Sequence, residues 1–169
     1  YAERRVYLRL IQRAFRQVEG VLSNMAKFIY NELAIPDLGD TKFTVPLHAP
    51  ITMIVGDSAT GKSYMYDTAL FFIAQLPHVA LANQAQPSVA DLRENIATYR
   101  NRLFIIDNVD LLLTETSDLD LLHKSRNQFI LLGRNTQFFG IPDRDRAYFT
   151  RKGLHYTLNY FWGEPWQST

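Results

Sequence analysis

The run ITMIV at residues 51–55 constrains this chain more than any other stretch, because it is rich in β-branched residues, carries no charge and shows no polar alternation. A strand of that kind cannot turn either face to water, so it belongs in a parallel sheet covered by helices on both sides. LFIID at 103–107 and QFILLG at 128–133 read the same way. Between and after these strands the apolar spacing changes from continuous to helical. Met65, Ala69, Phe72 and Leu76 recur at helical intervals, which predicts an amphipathic helix over 62–76 stopped by Pro77. SVADLRENIATYR, 88–100, predicts a second helix, with Ser88 and Asp91 as its capping pair and Val89, Leu92, Ile96 and Tyr99 on one face. Strands alternating with helices predict an α/β fold.

The remaining segments fit around that frame. FIYNELAI and KFTVPL predict two short strands about the turn PDLGD, and HVALA a third. SDLDLLHKS predicts a short helix capped by Ser117. Val6, Leu10, Ala14, Val18 and Leu22 predict a helix over residues 3–24, so the chain divides into an N-terminal helical segment, 1–24, and one domain, 25–169. Near the C-terminus, Leu154, Tyr156, Leu158, Tyr160 and Trp162 alternate strictly after the RKG turn, the pattern of a β-hairpin. Its aromatics, beside Arg151 and Lys152, could stack on single-stranded nucleic acid, but an alternating aromatic face is more often a sheet surface packed on the core. The four histidines, His48, His78, His123 and His155, have no metal-ligand spacing.

Composition narrows the function classes. With 169 residues, 47% of them hydrophobic and 21% charged, the chain is expected to form one globular domain. A formal charge of +1 gives no general nucleic-acid footprint, although Arg4, Arg5, Arg9, Arg13 and Arg16 cluster at the start. Those arginines are a solvated helix face or an arm for a partner or nucleic acid, and the first is favoured. The absence of cysteine excludes disulfides and thiol chemistry, and suits a reducing interior. No apolar run approaches the roughly 18 residues needed to span a bilayer. A soluble, cytoplasmic protein with no membrane partner is expected. Opening on Tyr1, the chain is expected to be a trimmed form.

The chemistry-bearing motif follows the first strand. Gly56, Gly61, Lys62 and Ser63 in GDSATGKS fill G-x-x-x-x-G-K-[ST], with Asp57, Ser58, Ala59 and Thr60 between the glycines and Tyr64 just after. Glycines at such positions let the backbone turn tightly and bring successive N–H groups close to an anion. The N-terminus of the following helix adds its positive dipole end. Lys62 can reach the terminal phosphates as a mobile point charge, and Ser63 is placed to ligate a magnesium ion. The alternative is a glycine-rich turn with a solvated lysine.

On these residues the sequence resembles the P-loop nucleoside triphosphatases over roughly residues 45–135, and is similar to small prokaryotic ATPases of the AAA-like, additional-strand division. The resemblance implies a three-layer sheet of parallel strands with helices on both faces, the strand before the loop lying centrally, flanked by those ending at Asp107 and near Gly133. It implies ATP and Mg²⁺ as ligands, the metal held by Ser63 and by Asp107 at the end of LFIID. The glutamate that follows this aspartate in the family is replaced here by Asn108. An amide can orient a water but cannot take its proton, so hydrolysis is expected to be slow. Asp110 and Glu115 are the nearest carboxylates. Arg134, at the end of QFILLG, is the candidate sensor of the terminal phosphate, the alternative being a surface arginine.

The expected activity is therefore that of a slow Mg²⁺-dependent ATPase, with Lys62, Asp107, Asn108 and Arg134 as its working residues, that uses nucleotide state to control contacts with a protein partner or with itself. GTPase motifs are absent, which makes ATP the default. Two alternatives stay open: a small phosphotransferase whose lid, GRNTQFFGIPDRDR, carries Arg134, Arg144 and Arg146, and a nucleotide-sensing module that does not hydrolyse.

Overall fold

A computed structural model describes residues 29–36, 42–57, 59–76, 78–85, 88–134 and 140–161. The expected helix over 3–24, with its arginines, lies outside the described residues, as do Ser58, Asn135 and Trp162.

The chain forms a mixed α/β structure on an eight-stranded sheet. In chain order the elements are β1 (Glu32–Pro36), β2 (Lys42–Pro46), β3 (Ile51–Ile54), α1 (Lys62–Phe72), β4 (Val79–Ala82), α2 (Val89–Thr98), β5 (Leu103–Ile106), α3 (Val109–Leu112), α4 (Thr116–Lys124), β6 (Gln128–Leu132), β7 (Arg146–Lys152) and β8 (His155–Tyr160). The spatial order is β1-β2-β8-β7-β3-β6-β5-β4. From β7 through β3, β6 and β5 to β4 every neighbouring pair is parallel. Beyond β7 the sheet changes character: β7 and β8 are antiparallel, β8 and β2 parallel, β2 and β1 antiparallel.

Two expectations are corrected here. The sheet is mixed, not parallel throughout, because the hairpin β7–β8 and the pair β1–β2 extend it instead of standing apart. The strand before the loop is central, but its neighbours are β6 and β7. The strand ending beside Asp107 is one place further out, with β6 between. The reason lies in the connections: the crossover through α1 carries the chain from β3 past two positions to β4 at the edge, and the next two crossovers return one position at a time through β5 to β6, so sequence order and spatial order part.

The mainly apolar strands are buried as their composition requires, β3, β5 and β6 along their whole length. Their side chains feed two cores by strict alternation. Ile54, Ile105, Ile130 and Leu132 join Met65, Tyr66, Ala69 and Phe72 of α1 on one face. Met53, Ile106, Phe129 and Leu131 join Leu92 and Ile96 of α2, Val109 and Leu112 of α3 and Leu122 of α4 on the other.

Helix ends differ in detail from the expected ones. The α-helical part of α1 stops at Phe72, where Ile73 and Ala74 both donate to the Ala69 carbonyl and tighten the chain into a turn ahead of Pro77. Ser88 caps α2 as expected, accepting the Asp91 N–H at 3.2 Å. Ser117 does not cap α4. Glu115 does, in a reciprocal pair with Asp118, whose carboxylate accepts the Glu115 N–H at 2.9 Å. Asp118 is only 1% exposed and also takes a bidentate pair of bonds from Arg93 of α2, at 2.7 and 2.8 Å. The tertiary anchor of Asp118 thus sets where the helix begins. The C-terminal hairpin is present, with Tyr156 and Leu158 buried in the core and Leu154 exposed in the turn. Among the described residues no helix is long and apolar enough to cross a membrane.

Candidate active site

The loop between β3 and α1 emerges at the C-terminal edge of the parallel strands. Its start is pinned on both sides, since Val55 donates to the Ala147 carbonyl of β7 and Gly133 donates to the Ile54 carbonyl of β3. Asp107 leaves β5 at the same edge, its N–H held by the Ala82 carbonyl of β4. Three segments distant in sequence therefore end side by side, and a cleft of about 270 Å³ lies between them.

The loop closes on its own lysine. Lys62 Nζ donates to the Gly56 carbonyl, to the Asp57 carbonyl at 2.9 Å and to Thr60 Oγ1 at 3.0 Å, while Thr60 Oγ1 donates to the Asp57 carbonyl at 3.0 Å. All three ammonium protons find acceptors, so the side chain is pre-positioned with its charge inside the loop. Lys62 is 8% exposed, and burial pushes its ammonium below the usual lysine range; the Arg134 charge acts in the same direction, against the attraction of Asp107, Asp57 and Asp110.

Gly61 is required twice over at the mouth of α1. Its φ of +95° is left-handed, and a Cβ there would stand 2.5 Å from a ring carbon of Tyr156. Ala59 also sits at positive φ, +69°. The loop is therefore a tightly wound turn that the hairpin strand β8 presses from the side.

Opposite the lysine, Asp107 is 7% exposed. Burial raises its carboxyl above the usual range, opposed by the Asn108 N–H, by the Ser63 hydroxyl and by the Lys62 charge. The hydrogen bond between Ser63 and Asp107 joins the first turn of α1 to the end of β5. Asn108 occupies the left-handed region at φ +52°, which an asparagine tolerates better than most side chains. It bonds Asp107 twice, through its N–H to Oδ1 at 3.0 Å and through Nδ2 to Oδ2 at 3.2 Å. The amide thus has a protein partner of its own and orients the carboxylate beside it.

The sequence-predicted residues separate clearly. Asp57, Ala59, Thr60, Gly61, Lys62, Ser63 and Tyr64 line the cleft from the loop side, and Asp107, Asn108 and Arg134 from the strand ends. Gly56 stands just behind, its carbonyl on Lys62, and Ser58 is outside the described residues. Of the two substitute carboxylates, Glu115 is tied up at the cap of α4 and with Arg93 at 3.2 Å, away from the cleft. Asp110 is closer: it bears electrostatically on Lys62, and its buried Oδ1 approaches Gly133 with no hydrogen-bond partner among the described residues. The lid arginines do not gather either. Arg144 pairs with Asp145 at 3.8 Å and Arg146 with Asp143 at 3.2 Å, and of the three only Arg134 lines the cleft.

Sequence reasoning favoured a core role for Tyr156 over stacking on nucleic acid; the residue is buried in the core and also lines the cleft. Its partner Gly61 was the available signal, since a motif glycine marks a close approach, but nothing in the sequence says what approaches. Among the described residues no cluster of three or more His, Asp or Glu side chains could cage a metal. Compared with known proteins, the chain matches no family model, no curated protein and no solved structure.

Proposed function

We propose that this protein binds a nucleoside triphosphate, ATP by default, in the cleft around Lys62, and hydrolyses it slowly with Mg²⁺, its nucleotide state controlling contacts with a partner. The observation that carries this reading is the convergence of the Lys62 loop, the Ser63–Asp107 hydrogen bond and Arg134 on one cleft, from three segments that share no sequence proximity. A single glycine turn with a solvated lysine would not bring a buried carboxylate and a second cation to the same place. The position of β6 between the loop strand and the Asp107 strand supports the additional-strand division, and the helices packed on both faces of β3, β5 and β6 support a three-layer core despite the antiparallel wing.

Lys62, Arg134 and the N–H groups at the head of α1 are the chain's own means of holding phosphate oxygens. Ser63 and Asp107 supply oxygen donors of the type a magnesium ion takes, too few to bind it without phosphate and water. Bound there, the ion would neutralise charge on the phosphates. Asn108 holds Asp107 in place and offers no base, which favours slow turnover and gives a specific reason to keep a nucleotide-sensing module without hydrolysis as the second reading. The dispersed lid arginines lend the phosphotransferase reading no support.

Calorimetry with MgATP tests the proposal. Lys62→Ala is expected to weaken binding at least about tenfold, the scale of one lost charge-assisted contact. Asp107→Ala should abolish the magnesium dependence of binding. Unchanged affinity in Lys62→Ala would overturn the reading, and single-turnover hydrolysis by the wild type separates the ATPase from the sensing module.

A further inference from the structure

Resting on the phosphate-binding reading above, we infer that Tyr64 is the surface on which the base of a bound nucleotide stacks, and that the site accepts a nucleoside by its aromatic face instead of by the edge of one particular base. The cleft has two unlike ends. Over β5 and β6 stand Asp107, Asn108 and Arg134; over β8, on the far side of β3, stands Tyr156, with Tyr64 projecting from the first turn of α1. β8 and β5 are four strand spacings apart, roughly 19 Å at the usual separation. The loop that presents Lys62 lies between them. A ligand that satisfies all of this is charged along one part and flat and aromatic at the other, which is the chemistry of a nucleoside polyphosphate.

The two rings have different roles. Tyr156 is fixed: it stacks on Phe43 at 4.7 Å and 16°, carries the Arg151 guanidinium over its ring at 5.4 Å, abuts Gly61 and is 8% exposed. Tyr64 meets Phe43 edge-on at 5.5 Å and Tyr156 at 6.3 Å, yet keeps 41% of its surface exposed. Two edge contacts set where the ring stands and leave it an accessible surface beside the cleft. Every base has a π-face, so such a ring discriminates weakly among bases.

The test is calorimetry of wild type and variants with magnesium and three probes: ATP, GTP and inorganic tripolyphosphate. ATP and GTP should bind within about threefold of each other and tripolyphosphate about tenfold more weakly, the size of one base–aromatic contact. Tyr64→Ala should bring ATP down to the tripolyphosphate level and leave tripolyphosphate unchanged, and Tyr64→Phe should restore ATP. Tripolyphosphate binding as tightly as ATP to the wild type, exclusion of GTP, or equal weakening of ATP and tripolyphosphate by Tyr64→Ala would each overturn the inference. Lys62→Ala distinguishes the two levels. If it weakens tripolyphosphate while Tyr64→Ala moves nothing, the base site alone falls; if it weakens neither probe, the phosphate reading falls and this inference with it.

Discussion

On the β6 side of β3 the strands are parallel and sealed on both faces, whereas on the β7 side the chain twice reverses direction and β1, β2 and β8 are buried on alternate residues. β3, β5 and β6 have no exposed position. β2 and β8 read exposed, buried, exposed, buried. The doubly covered half can therefore place polar chemistry only where its strands end, and that is where Asp107 and Arg134 emerge. On the other side β8, antiparallel to β7, begins at that same edge, which is how Tyr156, the second residue of the strand, comes to press on Gly61. A rigid apolar core positions the charges, and a half-open antiparallel wing shapes the wall beside them.

Perturbing each half in turn should give effects of unlike size. The largest is expected from Phe129→Ala in β6, a fully buried ring stacked on Phe104 at 5.5 Å, which should cost about 3–5 kcal/mol in urea unfolding. A loss under about 1 kcal/mol would mean that the sealed half is not the rigid part.

Gly61→Ala tests the meeting of the two halves. The added methyl combines a left-handed φ with a clash against the Tyr156 ring, and should destabilise by about 1–3 kcal/mol and weaken MgATP binding in the same variant. If Tyr156→Ala restores folding but not binding when combined with it, the hairpin's role is to hold the loop.

Next comes the Arg93–Asp118 anchor on the helical face. Burial raises the Asp118 carboxyl, but the Arg93 hydrogen bonds, the Glu115 N–H and the Arg93 charge outweigh it and leave the group below the usual carboxylate range. Its folded value is depressed, so its stabilisation is present above the unfolded value near 4 and is lost as pH falls below it. Asp118→Asn should therefore be less stable than the wild type by about 1–2 kcal/mol at pH 7, the gap closing in melts as pH falls below about 4. A gap that stays constant with pH would assign the loss to packing alone.

The smallest effect is expected in the wing. Tyr160 Oη donates to the Pro46 carbonyl at 2.8 Å, accepts the His48 N–H at 3.2 Å and lies 3.2 Å from Thr52 Oγ1, tying β8 to β3 and to the end of β2. Tyr160→Phe keeps the ring and its stacking on His48, and should cost about 1 kcal/mol by thermal melting with MgATP affinity unchanged.

The α/β class, the buried strands and the turn ahead of Lys62 were legible because they depend on local pattern. Continuous apolar runs cannot be solvated, so β3, β5 and β6 had to be core strands, and the glycine spacing before Lys62 and Ser63 marked a tight turn between a strand and a helix before any contact was known. Ser88 capped its helix as its position implied, because that bond spans three residues. What failed was non-local. The cap of α4 moved from Ser117 to Glu115 because Arg93, on another helix, fixes Asp118. Spatial strand order, the joining of β1–β2 and β7–β8 to the sheet, and the arrival of Tyr156 and Tyr64 at one end of the cleft were decided by tertiary structure alone. Periodicity and turn chemistry act over a few residues and are written in sequence, whereas which strand edge pairs with which, and which side chain fills a glycine's missing volume, is settled only when distant segments compete for the same buried surface.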